Sequence, residues 1–216
     1  MPNIQYQMST VVSEWLFGWD DTPGIVSVWA DADGRATVWR RVDGAVVRED
    51  TRFQPWALVS DIDGLTAADV SWRELDGPGE LRFHVSAASG RALSSALLAA
   101  AATRGVQAAH VSELDKGDVC MLPPEEQYLV ATGRTYFKGL AFDDLRRLQF
   151  DLETTGLDAA RDRILLIAVR HPDGRVEFIE DDVEGAMIRR LAETIRAADP
   201  DVIENHNLHE IGRAHV

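Results

Sequence analysis

The sequence predicts a mixed α+β / α/β chain in two parts, a β-rich N-terminal domain over 1–144 and a second, mixed-sheet domain that begins at residue 145. Three observations predict it. Short β-branched and aromatic runs separated by Asp-Gly turns fill the first half, two stretches carry apolar residues at helical spacing, and an apolar strand bearing Asp151 and Glu153 opens the second part. With 216 residues, 45% of them hydrophobic, the chain can build one large core or two small ones.

The N-terminal elements follow in order. Strands are expected over Thr10–Phe17, Ile25–Trp29, Ala36–Trp39 and Trp56–Val59. Asp33-Gly34 and Asp43-Gly44 lie between such runs, where two-residue hairpin turns belong. A strand around Leu81–Val85 leads into a helix from Arg91 to Arg104, with Leu93, Leu97 and Ala101 on one stripe and Gly105 as its stop. Val106–Val111 is read as a returning strand that completes a β-α-β unit. Pro123-Pro124-Glu125-Glu126 then opens a short helix, and Thr132–Gly139 is a connector. The boundary is placed near Phe142 to Leu145.

The second part starts with Leu148–Leu157 and continues through Ile164–Val169. A Pro172-Asp173-Gly174 turn leads to Val176–Ile179, which gives an antiparallel meander of three strands. Met187, Leu191 and Ile195 mark a helix from Glu184 to Ala198, ended by Asp199-Pro200, and Asp201–Glu204 is a further strand. Three antiparallel strands, a helix and another strand, with acids at the end of the first, is the RNase H-like order.

Side chains alternate along a strand, so Leu148, Phe150 and Leu152 share one face while Gln149, Asp151 and Glu153 share the other. Two carboxylates side by side repel unless solvent or a cation neutralises them. Two divalent cations, Mg²⁺ or Mn²⁺, would do so with oxygen ligands, about 3.5–4 Å apart in a site that hydrolyses phosphodiesters. The plainer alternative is that both acids occupy the wet face of an edge strand. A phosphate-loop NTPase is excluded, because the chain has no Gly-x-x-x-x-Gly-Lys-[Ser/Thr].

The run Phe150-Asp151-Leu152-Glu153-Thr154-Thr155-Gly156-Leu157 resembles the first motif of the DEDD 3′–5′ exonucleases, and its surroundings resemble the proofreading domain of family B DNA polymerases. The resemblance implies that Asp151 and Glu153 bind the catalytic metals. It further implies that Thr154 contacts the primer terminus and Leu157 wedges against the terminal bases. Asp199–Asn207 resembles the lead-in to the second motif, Asn-x-x-x-Phe-Asp, with Asn207 as its substrate-side residue. Counting from Asn207 places that motif's Phe and metal-binding Asp where this chain has Ile211 and Gly212. The third motif would lie further on, so two of four acids are missing. The implied partner is the single-stranded 3′ end of a DNA primer, and the implied activity is two-metal excision of terminal nucleotides. A stand-alone exonuclease and a non-catalytic nucleic-acid-binding or scaffold module of the same fold are the alternatives.

Glu210–Val216 translates GAG ATC GGA AGA GCA CAC GTC, which from its second base matches a common sequencing-library adapter. Residues 211–216 are therefore read as a non-native tail, the second domain as its front part only (145–210), and the C-terminal remainder of the polypeptide as missing.

Composition narrows the function classes. A net charge of −14, from 36 acidic against 22 basic residues, argues against a binder that relies on a broad basic face. The lone Cys120 offers neither a disulfide framework nor a zinc cluster, and the longest apolar run, Ala96–Ala102, is too short to span a bilayer. A cytoplasmic protein without membrane partners is expected. The six tryptophans, Trp15, Trp19, Trp29, Trp39, Trp56 and Trp72, could stack bases, but core packing is the preferred reading. His206 and His209 are read as solvent-facing. Arg134 and Lys138 are expected to face water while Tyr136 and Phe137 pin the connector down.

Overall fold

The structure, a computed structural model, describes residues 14, 17–66, 68–156, 158 and 160–205. The chain is α+β and divides into two compact units, Met1–Gly139 and Leu140–Val216. Among the described residues no helix is long and apolar enough to cross a membrane.

The described residues of the first unit form two sheets. Strands β1 (Ile25–Ala30), β2 (Arg35–Val42) and β3 (Ala45–Arg52) form an antiparallel meander in that order. Its second hairpin turns at Asp43 (φ 49°) and Gly44 (φ 81°), the left-handed pair that a two-residue turn needs to match strand twist. Asp is among the few side chains that tolerate this region. Strand β4 (Trp56–Val59) lies between β6 (Phe83–Ser86) and β7 (Val119–Cys120) in the other sheet, with β5 (Ser71–Glu74) on the far edge beside β6.

Helix α1 (Gly90–Thr103) starts at Ser89, whose Oγ accepts from the Ala92 N–H at 3.2 Å. Its buried stripe of Leu93, Leu97 and Ala101 packs on Ala57, Val59 and Val85 of the four-stranded sheet. Helix α2 (Pro124–Thr132) covers the meander, with Tyr128 set among Ile25, Val28, Ala30, Ala36 and Val38. Gln127 joins the two sheets' layers: its Oε1 accepts from the Trp56 N–H at 2.8 Å, and its own carbonyl accepts from the Trp56 indole at 3.0 Å.

Four sequence expectations need correction here. Val106–Val111 forms no strand; Val106 is exposed and the alanines after it favour no pleated surface, so the chain re-enters the sheet only at β7. Because β6 and β7 each run antiparallel to β4, they are parallel to one another, and the crossover spans β4. Of the expected strand Thr10–Phe17, the described residues Glu14 and Phe17 are helical and the rest lie outside the described residues.

The tryptophans do not all pack into cores. Trp56 is buried and Trp72 lies against the α1 core, whereas Trp19 and Trp29 are exposed; Trp15 lies outside the described residues. Nor does Arg134 face water. Its Nη1 donates to Glu49 Oε1 (3.0 Å) and to the Tyr128 hydroxyl (2.7 Å), and Asp20 lies 3.8 Å from its Nε. Lys138 likewise donates to the Asp20 carbonyl at 2.7 Å, so both cations hold the segment before β1 against the connector.

The described residues of the second unit form one mixed sheet and one α-helix. Strands β8 (Arg147–Thr154), β9 (Ile164–Arg170) and β10 (Val176–Ile179) are antiparallel neighbours, and β11 (Val202–Glu204) pairs parallel to the other edge of β8. Helix α3 (Glu184–Ala198) supplies Met187, Leu191 and Ile195 to a core with Leu148, Phe150, Leu152, Ile167, Val169 and Ile179. Asp199, in the left-handed region (φ 45°), turns the chain off α3 toward β11. That stop two residues ahead of the strand lets β11 run back alongside β8, as the parallel pairing requires.

Candidate functional site

The helix-facing side of β8 is fixed by burial: Leu148 is fully buried, with Phe150 and Leu152 packed on the same core. Register then fixes the opposite side, where Gln149, Asp151 and Glu153 lie beside Arg170, Ala168 and Leu166 of β9. Asp151 and Glu153 are both exposed. Their Cα atoms are about 6.8 Å apart, two steps of an extended strand. Among the described residues neither carboxylate makes an ion pair; Asp151 Oδ1 accepts from the Leu152 N–H at 3.0 Å. Among the described residues, two carboxylates without an ion-pair partner thus share this face.

Their neighbour on β11 is different. Glu204, level with Gln149, accepts from Arg147 Nη2 at 2.9 Å and from the Gln149 amide. The Arg147 hydrogen bonds, followed by that of Gln149, hold the Glu204 carboxyl below the usual range. Arg147 in turn lies over the Phe142 ring at 4.7 Å. Glu204 is therefore committed to closing β11 onto β8, and Asp151 and Glu153 remain the open carboxylates of this face. Among the described residues no group of three or more metal-ligating side chains comes together.

The end of β8 is shaped by a bulge between Glu153 and Thr154 and by the loop that follows. The Thr154 hydroxyl donates to the Gly156 carbonyl at 2.7 Å. Asp162 organises the loop from across it, accepting from the Asp158 N–H at 2.9 Å and from the Thr155 hydroxyl at 3.1 Å. Its carboxylate fills the space in which a Cβ on Gly156 would sit, 2.5 Å from Oδ2. A side chain at 156 would therefore have to displace the Asp162 carboxylate. Leu157, Asn207, His206, His209 and the tail 211–216 lie outside the described residues.

Two contributors were not picked out as such from sequence. Asp162 offers no signal beyond an Asp in a turn-rich loop. Asn205 donates from Nδ2 to the Phe150 carbonyl at 2.9 Å, tying the end of β11 to the residue before Asp151. Its place directly after a predicted strand was the available clue.

No protein-family model and no curated protein sequence matches this chain. Among solved structures it is similar to the family B DNA polymerase from the hyperthermophilic archaeon Pyrobaculum calidifontis, at 20% identity and a TM-score of 0.55. The likeness covers 88% of this chain and 32% of that one, so the chain spans about a third of the polymerase's length. What the two share is the fold: this is an α+β chain of the kind found in part of a family B DNA polymerase.

Proposed function

We propose that this chain is the N-terminal region of a family B-type DNA polymerase and includes the front part of an RNase H-like 3′–5′ exonuclease domain. Asp151 and Glu153 are its metal-holding pair. The observation that carries the reading is their placement: two exposed carboxylates that make no ion pair among the described residues, on the open face of a strand whose other face is the core. The polymerase-like fold supports it.

The donor chemistry suits the cation class. Mg²⁺ and Mn²⁺ take oxygen ligands, and Mg²⁺ is commonly held by one or two carboxylates together with substrate phosphates and water. When bound, the cations would activate a water and stabilise the leaving oxygen of the terminal phosphodiester. Asp151 and Glu153, both on the open face of β8, would hold the cations, Asp151 as the ligand common to them and Glu153 as a ligand to one. Thr154, at the end of β8, serves the 3′-terminal nucleotide, and by the motif resemblance Leu157 and Asn207 serve it too. The two remaining acids come from polypeptide that follows these residues. A single-stranded DNA 3′ end is the substrate.

A 5′-labelled single-stranded oligonucleotide with Mg²⁺ tests this. The 216-residue chain should leave it unshortened, whereas a polypeptide extended through the two missing motifs should shorten it and lose that activity on Asp151→Ala. Excision by the 216-residue chain that Asp151→Ala abolishes would refute the missing-acid part. Excision by the extended polypeptide that survives Asp151→Ala and Glu153→Ala would refute the site.

A further inference from the structure

Strand β3 closes the meander on one side, and among the described residues no strand pairs with its other edge. Such an edge offers a row of backbone donors and acceptors to any extended chain that can match it. Proteins commonly blunt the hazard with a proline, a lysine or a bulge. β3 has none of these: Ala45-Val46-Val47-Arg48-Glu49-Asp50-Thr51-Arg52 pairs with β2 without a register shift, and Val46 and Val47 are both exposed. What it carries is charge of both signs, which selects a partner by its order.

The hairpin sets which backbone groups are free. Val42 and Ala45 flank the two-residue turn and so form a hydrogen-bonded pair, and along an antiparallel ladder such pairs alternate with pairs whose N–H and C=O groups point away from each other. Val46, Arg48, Asp50 and Arg52 therefore present their backbone groups at the open edge. Their side chains share one face, turned from α2, because Glu49 and Thr51 are level with the core residues Val38 and Ala36. Arg48 and Asp50 are paired at 2.9 Å within the chain, and both are largely exposed.

We propose that this edge pairs with the same edge of a second copy of the chain, antiparallel about a twofold axis at Glu49. That axis sets Arg48 opposite Asp50 of the second copy and Asp50 opposite its Arg48, with Val46 opposite its Arg52 and Val47 opposite its Thr51. The rows that must exchange hydrogen bonds are those whose backbone groups are free. Moving the axis to Arg48 sets that arginine against its own copy, and moving it to Asp50 sets Asp50 on Asp50 and Arg48 on Arg52, all of which repel. With the axis at Glu49 the like pair is Glu49 with its copy, and each already accepts from Arg134 Nη1 at 3.0 Å. A single ladder buries less than the roughly 1,000 Å² of a lasting interface, so the association is weak and concentration-dependent. The net charge of −14 opposes it at long range, but beyond about 8 Å that repulsion is screened at 0.15 M salt. The edge stands apart from Asp151 and Glu153, and the dimer does not depend on the exonuclease reading.

Sedimentation equilibrium of the 216-residue chain at physiological salt, from about 1 µM to about 1 mM, tests this. The parent should pass from monomer to dimer across that range. Asp50→Arg sets an arginine against Arg48 of the second copy, Arg48→Asp sets an aspartate against its Asp50, and each alone should weaken association by about tenfold. An equimolar mixture of the two variants restores opposite charges in both rows and should associate as the parent does. Circular dichroism confirms that each variant is folded. A parent that stays monomeric throughout, single variants that associate as strongly as the parent, or a mixture no stronger than either variant alone would each overturn the proposal. So would amide exchange at Val46, Arg48 and Asp50 of the parent that is slow at every concentration, because another part of the chain would then hold the edge.

Discussion

Asn205 donates from its side-chain amide to the Phe150 carbonyl at 2.9 Å, fastening the end of β11 to the residue that precedes Asp151. Together with the Arg147–Glu204 pair one residue earlier, it holds a three-residue parallel strand against the edge of β8. A strand that short has little pairing of its own, so side chains complete it.

Replacing Asn205 with Ala removes its hydrogen bond to the Phe150 carbonyl, worth about 1 kcal/mol. The expected result is faster amide exchange through β11, with β9 and β10 unchanged. Equal exchange in both proteins would show that the pairing does not need Asn205.

Gly156→Ala should displace Asp162, because the added Cβ would lie 2.5 Å from its carboxylate oxygen. Asp162→Ala alone loses the bonds to Asp158 and Thr155 and loosens the same loop. Once Asp162 is gone, Gly156→Ala should cost little more, giving a coupling on the order of 1 kcal/mol in a double-mutant cycle. Proteolysis within the 156–162 loop reads it out, and simple additivity would contradict the packing described.

Arg134 should be irreplaceable by Lys. Its guanidinium reaches Glu49 and the Tyr128 hydroxyl at once, which a single ammonium on a shorter fork cannot do. Arg134→Lys and Arg134→Met should each destabilise the first unit, the latter by about 1–3 kcal/mol as Tyr128 and Glu49 lose their donor. Urea denaturation monitored by first-unit tryptophans checks this.

Glu177 gives the second unit a dependence on pH. Arg190 first, then His171 and Arg175, hold its carboxyl below the usual range. A depressed folded-state pKa contributes stability that is full above the unfolded value, about 4.3, and is lost as pH falls through the lowered one. Second-unit stability should therefore fall as the medium is acidified below about pH 4.5, and Glu177→Gln should be less stable at pH 7 and less sensitive to that fall. An unchanged acid profile in Glu177→Gln would assign the loss to other carboxylates.

These contacts show which parts of the structure the sequence could carry. The second unit was legible because local signals agree: alternation in β8, the Pro172-Asp173-Gly174 turn, the spacing of Met187, Leu191 and Ile195, and the Asp199-Pro200 stop all describe one order of elements. Asp43-Gly44 was legible because only such a pair turns left-handed in two residues. Trp29 was not, because alternation says that residues face opposite sides but not which side another element will cover. Arg134 was misread for a related reason, since its partners Glu49 and Asp20 are distant in sequence. At the candidate site, Asp151 and Glu153 could be read from strand geometry. Glu204 could not be, because its commitment to Arg147 depends on the parallel pairing of β11.

The central claim is that Asp151 and Glu153 form a cation-holding pair, and Mn²⁺ titration followed by electron paramagnetic resonance tests it most directly. The account predicts one weak site per chain in the parent, lost in the Asp151→Asn, Glu153→Gln double variant while circular dichroism stays unchanged. Mn²⁺ binding that is the same in the parent and the double variant, or absent from the parent at millimolar metal, would contradict it.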